Sequence, residues 1–186
     1  MKKITLFILI ALFCSSFSPA QNDDMKKWMD YMTPGNEHKE LAKLNGDWVY
    51  TMKMWTDPAG EPTVSQGTAT CEMMLEGRYQ LMKVYGNVMG MPFNGISTTA
   101  FDNGKKIWIS TWIDNLGTGL MYAEGKYDES TKCIVFRGMM YDPMSGKDID
   151  FKENMIFIDE NTMGMDMFSI IEGKDVKNME IRYTRK

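Results

Sequence analysis

His38 is the sole imidazole in the chain. A Ser-His-Asp triad, a histidine-ligated haem or a multi-histidine metal centre would each have to be built from that one residue. It stands in a capped segment ahead of the first strand, where a capping or surface role is the simple reading and proton shuttling the sharper one. Cys71 and Cys133 fall in predicted strands. They are either a disulfide, if the fold brings their Cα atoms within about 4.4–6.8 Å in an oxidising compartment, or two buried free thiols. The chain has no CxxC pair and no Cys/His cluster, so neither thioredoxin-type redox chemistry nor a zinc site is supported, and no cofactor or metal is expected. The 20 methionines bunch as Met52/Met54, Met73/Met74, Met89/Met91, Met139/Met140 and Met163/Met165/Met167. Thioether clusters can take Cu(I), but such sites usually recruit histidine or cysteine beside them. M-x-M spacing puts both side chains on one strand face, which suits a flexible filler and the wall of an apolar pocket.

Binding has more candidates than catalysis. Trp112-Ile113-Asp114-Asn115 ends a strand in a carboxylate and an amide before Gly117-Thr118-Gly119. As a turn, Asp114 and Asn115 bond local amides; as a site, Trp112 is a stacking wall and Asp114 an acceptor at the rim. Arg78 enters a strand from the turn Glu76-Gly77, where it is either solvated and paired with Glu76 or Glu72, or turned inward with a fork that fits a carboxylate head group. Arg137 and Tyr183 lie mid-strand among apolar neighbours and are further inward candidates; a buried arginine needs an acidic partner or an anionic ligand. Glu72, Glu124 and Glu180 are the carboxylates available to an enzyme working by acid–base chemistry in a cavity.

The elements that must position these residues come after a leader. Lys2 and Lys3 precede the apolar run Ile4 to Phe13, too short to span a bilayer, and Ser18-Pro19-Ala20 carries the small residues a signal peptidase reads. Residues 1–20 are therefore expected to be cleaved and the protein exported, periplasmic or extracellular. Lipidation at Cys14 is disfavoured by the bulk of Phe13 before it. The remainder is sized for one domain. The formal charge of −4 grows more negative once the leader lysines go, which argues against nucleic acid as a partner.

Residues 21–46 read as a short helical segment. Met25, Trp28, Met29 and Met32 form one stripe after Asp23 or Asp24, and Leu41 and Leu44 share a face after Asn36. From residue 47 the period changes to two, and turn signals such as Asp102-Asn103-Gly104, Asp128-Glu129-Ser130 and Asp142-Pro143-Met144-Ser145-Gly146 recur to Asp175. After the first strand they cut the chain at 64–76, 78–89, 93–101, 105–113, 118–127, 132–141, 148–158, 162–172 and 176–185, predicting an all-β domain over 47–186 with about ten antiparallel strands. Neither face of these strands is plainly solvated: Ile107, Ile109 and Ile113 oppose Trp108, Ser110, Trp112 and Asp114. A closed up-and-down barrel with a mixed interior accommodates that pattern and removes the edges of so wide a sheet.

Gly46-Asp47-Trp48 after a short helix resembles the glycine-x-tryptophan signature of the calycin superfamily, which includes the lipocalins. The resemblance implies a basic residue late in the last strand packing over Trp48, with Arg185 best placed and Arg182 second, in a structural role. A longer resemblance is carried by Thr33-Pro34-Gly35 with Glu37-His38-Lys39, Glu76-Gly77-Arg78-Tyr79, Pro92-Phe93-Asn94-Gly95, Thr111 to Asn115 with Gly117-Thr118-Gly119, and Met179 to Lys186. Together these look like the domain-of-unknown-function family 1579, placed with the calycins, which implies a lipocalin-like barrel and no activity. Three readings stand at this point. One is a barrel holding a small apolar or amphipathic ligand, one a carboxylate-based enzyme acting in the cavity, and one a solid barrel with a structural or interaction role at the cell envelope.

Overall fold

The computed structural model describes residues 19–186; the apolar run Ile4–Phe13 and Cys14 lie outside the described residues. The chain divides into two compact units, one ending at Thr33 and the other running Pro34–Lys186. In the first, helix α1 spans Pro19–Met32. It begins ahead of the expected caps Asp23 and Asp24, since proline's fixed φ and missing N–H suit a first helical position. Lys27 instead pairs with both aspartates, at 3.2 and 3.3 Å. The stripe Met25, Trp28, Met29 and Met32 is exposed.

The second unit opens with α2, Asn36–Ala42, whose N-cap is Gly35 rather than the expected Asn36. The Gly35 N–H donates to His38 Nδ1 at 3.0 Å, so the imidazole caps its own helix. Its outer side packs edge-on against Phe101. Burial pulls the His38 pKa below its ordinary value, against the opposing pull of Glu37 and the Phe101 backbone. Leu41 and Leu44 turn into the core as their shared face predicts.

Ten strands follow: β1 (Gly46–Met54), β2 (Thr63–Met74), β3 (Tyr79–Val88), β4 (Met91–Asp102), β5 (Ile107–Asp114), β6 (Met121–Asp128), β7 (Cys133–Asp142), β8 (Lys147–Asp159), β9 (Thr162–Ile171) and β10 (Lys174–Arg185). Each boundary falls within about three residues of its expected place. Turn chemistry is the reason. Asp102 accepts the N–H groups of Gly104 and Lys105, Asp128 that of Ser130, Asp142 those of Met144 and Ser145, and Asp159 that of Asn161. Such Asx turns stop a strand and reverse it.

Every strand pairs antiparallel with its sequence neighbours, and β1 closes on β10 to complete a barrel. Trp48 stands opposite Arg185 at one end of that seam and Met54 opposite Met179 at the other. Alternation then sorts the two faces. On β5 the mixed face, Trp108, Ser110, Trp112 and Asp114, is the inner one, while Ile113 is 43% exposed outside.

The possible Cys71–Cys133 bridge is absent: both thiols are buried and free. β2 and β7 lie on opposite walls, five strands apart in either direction round the ring. No backbone adjustment short of collapsing the barrel brings them within disulfide reach. Burial raises the Cys71 thiol to about 12, which keeps it protonated and unreactive.

Candidate functional site

One end of the barrel is sealed. Trp48 is fully buried and donates Nε1–H to the Leu44 carbonyl at 3.0 Å. The Arg185 guanidinium lies 4.3 Å from the Trp48 ring and donates to the carbonyls of Asn45, Lys43 and Glu160 at 2.6 to 3.2 Å. Gly46, at φ 129, leaves room for that guanidinium, which a Cβ there would displace. Arg182 does not share the role; it pairs with Asp166 on the outer wall at 2.7 Å. Leu41 of α2 plugs that end from within, in one buried cluster with Trp108, Ile134, Phe136 and Phe151.

Above this plug the interior is not filled. A cavity of about 280 Å³ runs from Gln80, Glu153 and Tyr183 to Trp112, Asp114 and Leu116 at the other end. That volume lies near the small end of the roughly 300–1,000 Å³ usual for ligand sites. Methionine dominates its wall, with Met52, Met82, Met155, Met163, Met165 and Met179 among the lining side chains. The expected M-x-M faces therefore point inward on β1 and β9. In contrast, Met139 and Met144 are exposed.

The space survives because the large aromatic rings lie along the wall rather than across it. Tyr50 lies over Gly67 and Gly86, Trp112 over Gly95, Phe136 over Gly125 and Phe151 over Gly138; a Cβ at any of these glycines would overlap the ring or the adjacent strand. An inward glycine opposite an aromatic is thus the local device that trades a side chain for a flat bed. At the upper end Trp112 is held twice more, stacked on Phe93 at 6.1 Å and donating Nε1–H to Asp114 at 2.7 Å. Asp114 also accepts the Leu116 N–H at 2.8 Å. The motif is a turn anchor, and it places Trp112 and Asp114 in the cavity lining.

Of the remaining candidates, Tyr183 is inside and Arg78 and Arg137 are not. Tyr183 is buried against Tyr50, ring centroids 5.6 Å apart, and burial raises its hydroxyl well above the ordinary tyrosine range. Arg78 stays in its turn, bonded to the Leu75 carbonyl and to Glu76. Arg137 falls on the outward parity of β7 and is exposed, between Glu124 and Lys152 on the neighbouring strands. Its apolar sequence neighbours misled, because Ile134 and Phe136 alternate with it rather than surround it. The three carboxylates expected for acid–base work are outside too. Glu72 pairs with Lys83, Glu124 with Lys105 and the Tyr122 hydroxyl, and Glu180 with Lys177 and Arg182.

The carboxylate that does enter the cavity is Glu153 on β8. It is half-buried, and it lines the cavity. Burial alone raises its carboxyl to about 7. Gln80, Thr99 and Ser110 form a buried polar row in register across β3, β4 and β5. Gln80 is fixed by donating Nε2–H to the Leu41 carbonyl at 2.6 Å. A second cleft, between α2 and the barrel, has Phe101, Trp108, Ile134 and Phe157 in its lining and Glu37, Glu40, Lys106 and Lys126 as charges of both signs. Among the described residues no group of three or more His, Cys, Asp or Glu side chains can hold a metal ion.

Among solved structures the chain is similar to a redesigned β barrel, 13% identical over 78% of this chain and 94% of that one, with a TM-score of 0.41. No curated protein matches the sequence. The family described as a protein of unknown function, DUF1579, matches residues 33–185, a span that takes in α2 and the whole barrel. This chain belongs to the DUF1579 family.

Proposed function

We propose that this is an exported, calycin-like binding protein that holds one small apolar or amphipathic molecule inside its barrel. The observation that carries the reading is the cavity of about 280 Å³, walled by methionine and bedded aromatics and sealed at one end. Thioether walls adapt to the shape of an apolar guest at little cost in strain. Catalysis has less support, because Glu153 has no charge partner among the described residues and the other candidate carboxylates face solvent.

The test is a fluorescence titration with a homologous series of n-alcohols, from butanol to dodecanol. Trp112, in the wall, is the reporter. Saturable one-to-one quenching with an optimum chain length is expected. Absence of saturable binding by every member overturns the reading.

Export rests on the leader at residues 1–20. Its test is the N-terminus of the protein recovered from the producing cell: Gln21 is expected. An intact Met1 overturns export, and a lipidated Cys14 overturns cleavage at that point.

A further inference from the structure

We propose that Glu153 anchors the ligand's polar head, so that the cavity takes small amphipaths carrying a hydrogen-bond donor, primary amines foremost, and rejects carboxylates. This rests on the binding reading above and specifies its ligand.

The charged side chains of the cavity carry one sign. No lysine, arginine or histidine lines the cavity; its ionisable groups are Glu153, Asp114, Tyr50 and Tyr183. The arginines that would receive a carboxylate, Arg78 and Arg137, are on the outside. An anionic head group would find hydroxyl donors on Tyr50, Thr99, Ser110 and Tyr183 but no cationic side chain to offset its charge in an acidic interior.

Glu153 itself lacks a partner: no hydrogen bond or ion pair to it is found among the described residues. A buried carboxyl without a partner is costly, and a donor brought by a ligand removes that cost. On the opposite wall, five strands away round the ring, Gln80 has committed one amide N–H to Leu41 and keeps its oxygen and its second N–H. Thr99 and Ser110 lie beside it in register. An alkylammonium offers three donors and no acceptor, which matches the Glu153 carboxylate together with the lone pairs of the Thr99 and Ser110 hydroxyls. Its tail then runs along the methionines towards Trp112.

Tyr183 of β10 lies near enough to Glu153 to feel its charge, Tyr50 of β1 lines the same cavity, and Cys71 of β2 sits outside the lining; all three stay neutral at working pH because burial raises them. Asp114 of β5 stands at the far end of the cavity. The strands flanking β8 turn Phe136 and Met167 to the carboxyl, and His38 of α2 packs on Phe101 outside the cavity lining. With the Glu153 carboxyl at about 7, an ammonium must ionise it to pair with it. Amine affinity should then fall about tenfold per pH unit below that value, whereas alcohol affinity should not.

The experiment titrates the full mature chain with octylamine, octanol and octanoate at pH 5.5 and 7.5, in wild type and Glu153→Gln. Expected at pH 7.5 is amine over alcohol over carboxylate, with amine at least about tenfold tighter than octanoate. Amine affinity should drop on going to pH 5.5 in wild type only, and in Glu153→Gln the amine preference should vanish while octanol still binds. Octanoate binding as tightly as octylamine, or an amine preference that survives Glu153→Gln, overturns the anchor and leaves the cavity reading standing. No binding by any of the three overturns both. Should Glu153→Gln fail to fold, Glu153→Met, which continues the thioether wall, carries the same comparison.

Discussion

Glu153 sits on one strand face with Phe151, Met155 and Phe157, a single acid in an apolar row. Burial raises its carboxyl from about 4.5 to about 7, so the native state holds the proton more tightly than the unfolded chain. The sign follows: its contribution to stability is complete below the unfolded value and is lost as pH rises through about 7. The full span is worth at most roughly 3 kcal/mol. His38, whose pKa is lowered by burial, acts in the opposite sense and loses stability as pH falls through its unfolded value. Urea unfolding of wild type and Glu153→Gln at pH 5 and pH 8 separates the two. The variant should be the more stable at pH 8, with the gap closing at pH 5, while the His38 contribution cancels between them. A gap independent of pH would show that the carboxyl is not titrating in the folded protein. At the sealed end, Arg185 is the residue to remove. Arg185→Ala gives up the stack on Trp48 and the bonds to three backbone carbonyls, a loss of roughly 1–3 kcal/mol. Arg185→Lys should recover little of it, since one ammonium cannot reach three carbonyls and stack at once. Matched denaturation midpoints for wild type and Arg185→Lys would contradict that account.

At the scale of strands, the inner glycines decide how much room is left. Trp112 lies on Gly95 with no backbone atom crowding the same place, so Gly95→Ala forces the indole off the wall and into the cavity mouth. The expected outcome is a folded barrel with altered near-ultraviolet dichroism, a broken Trp112–Asp114 hydrogen bond and apolar-ligand affinity reduced by about tenfold or more. Unchanged affinity would mean that the ring finds another bed. The strands themselves were legible in the sequence because each is stopped by an aspartate or glycine turn whose chemistry is local. Their inward parity was not, since the outer wall carries Ile96, Ile113 and Tyr122 while the inner one carries Gln80, Thr99, Ser110 and Glu153. Trp48 and Arg185 were found through a motif whose two parts meet at the β1–β10 seam. Glu153 was missed for a different reason: Asp150, Lys152 and Asn154 interleave with its apolar row, and the charges on both parities hide the one that turns inward. Arg78 failed as a site because its turn holds it, through the Leu75 carbonyl and Glu76, whereas the apolar neighbours of Arg137 point to the opposite face of β7.

For the molecule as a whole, closure is the property on which the cavity depends, and it is made by the first and last strands. Arg182, Tyr183, Thr184 and Arg185 are the register partners of Thr51, Tyr50, Val49 and Trp48, so the final residues complete the wall that the first strand begins. They also cover part of β9, where Tyr183 faces Met163 and Thr184 faces Thr162. A chain ending at Ile181 would leave Trp48–Thr51 and Thr162–Gly164 with unpaired backbone groups, two open edges in place of none. It would also remove the guanidinium over Trp48 and the inward Tyr183. Unpaired edges recruit other strands, and the nearest available are those of a second copy. The truncated protein should therefore lose its cooperative unfolding transition and associate in a concentration-dependent manner, with Trp48 emission shifted towards that of solvated indole. Sedimentation velocity over a dilution series reads the association directly. A monomer that melts cooperatively at the wild-type midpoint would show that the seam is dispensable. The sealed end would then be held by α2 and the plug of Leu41, Trp108, Ile134 and Phe136 without help from β10.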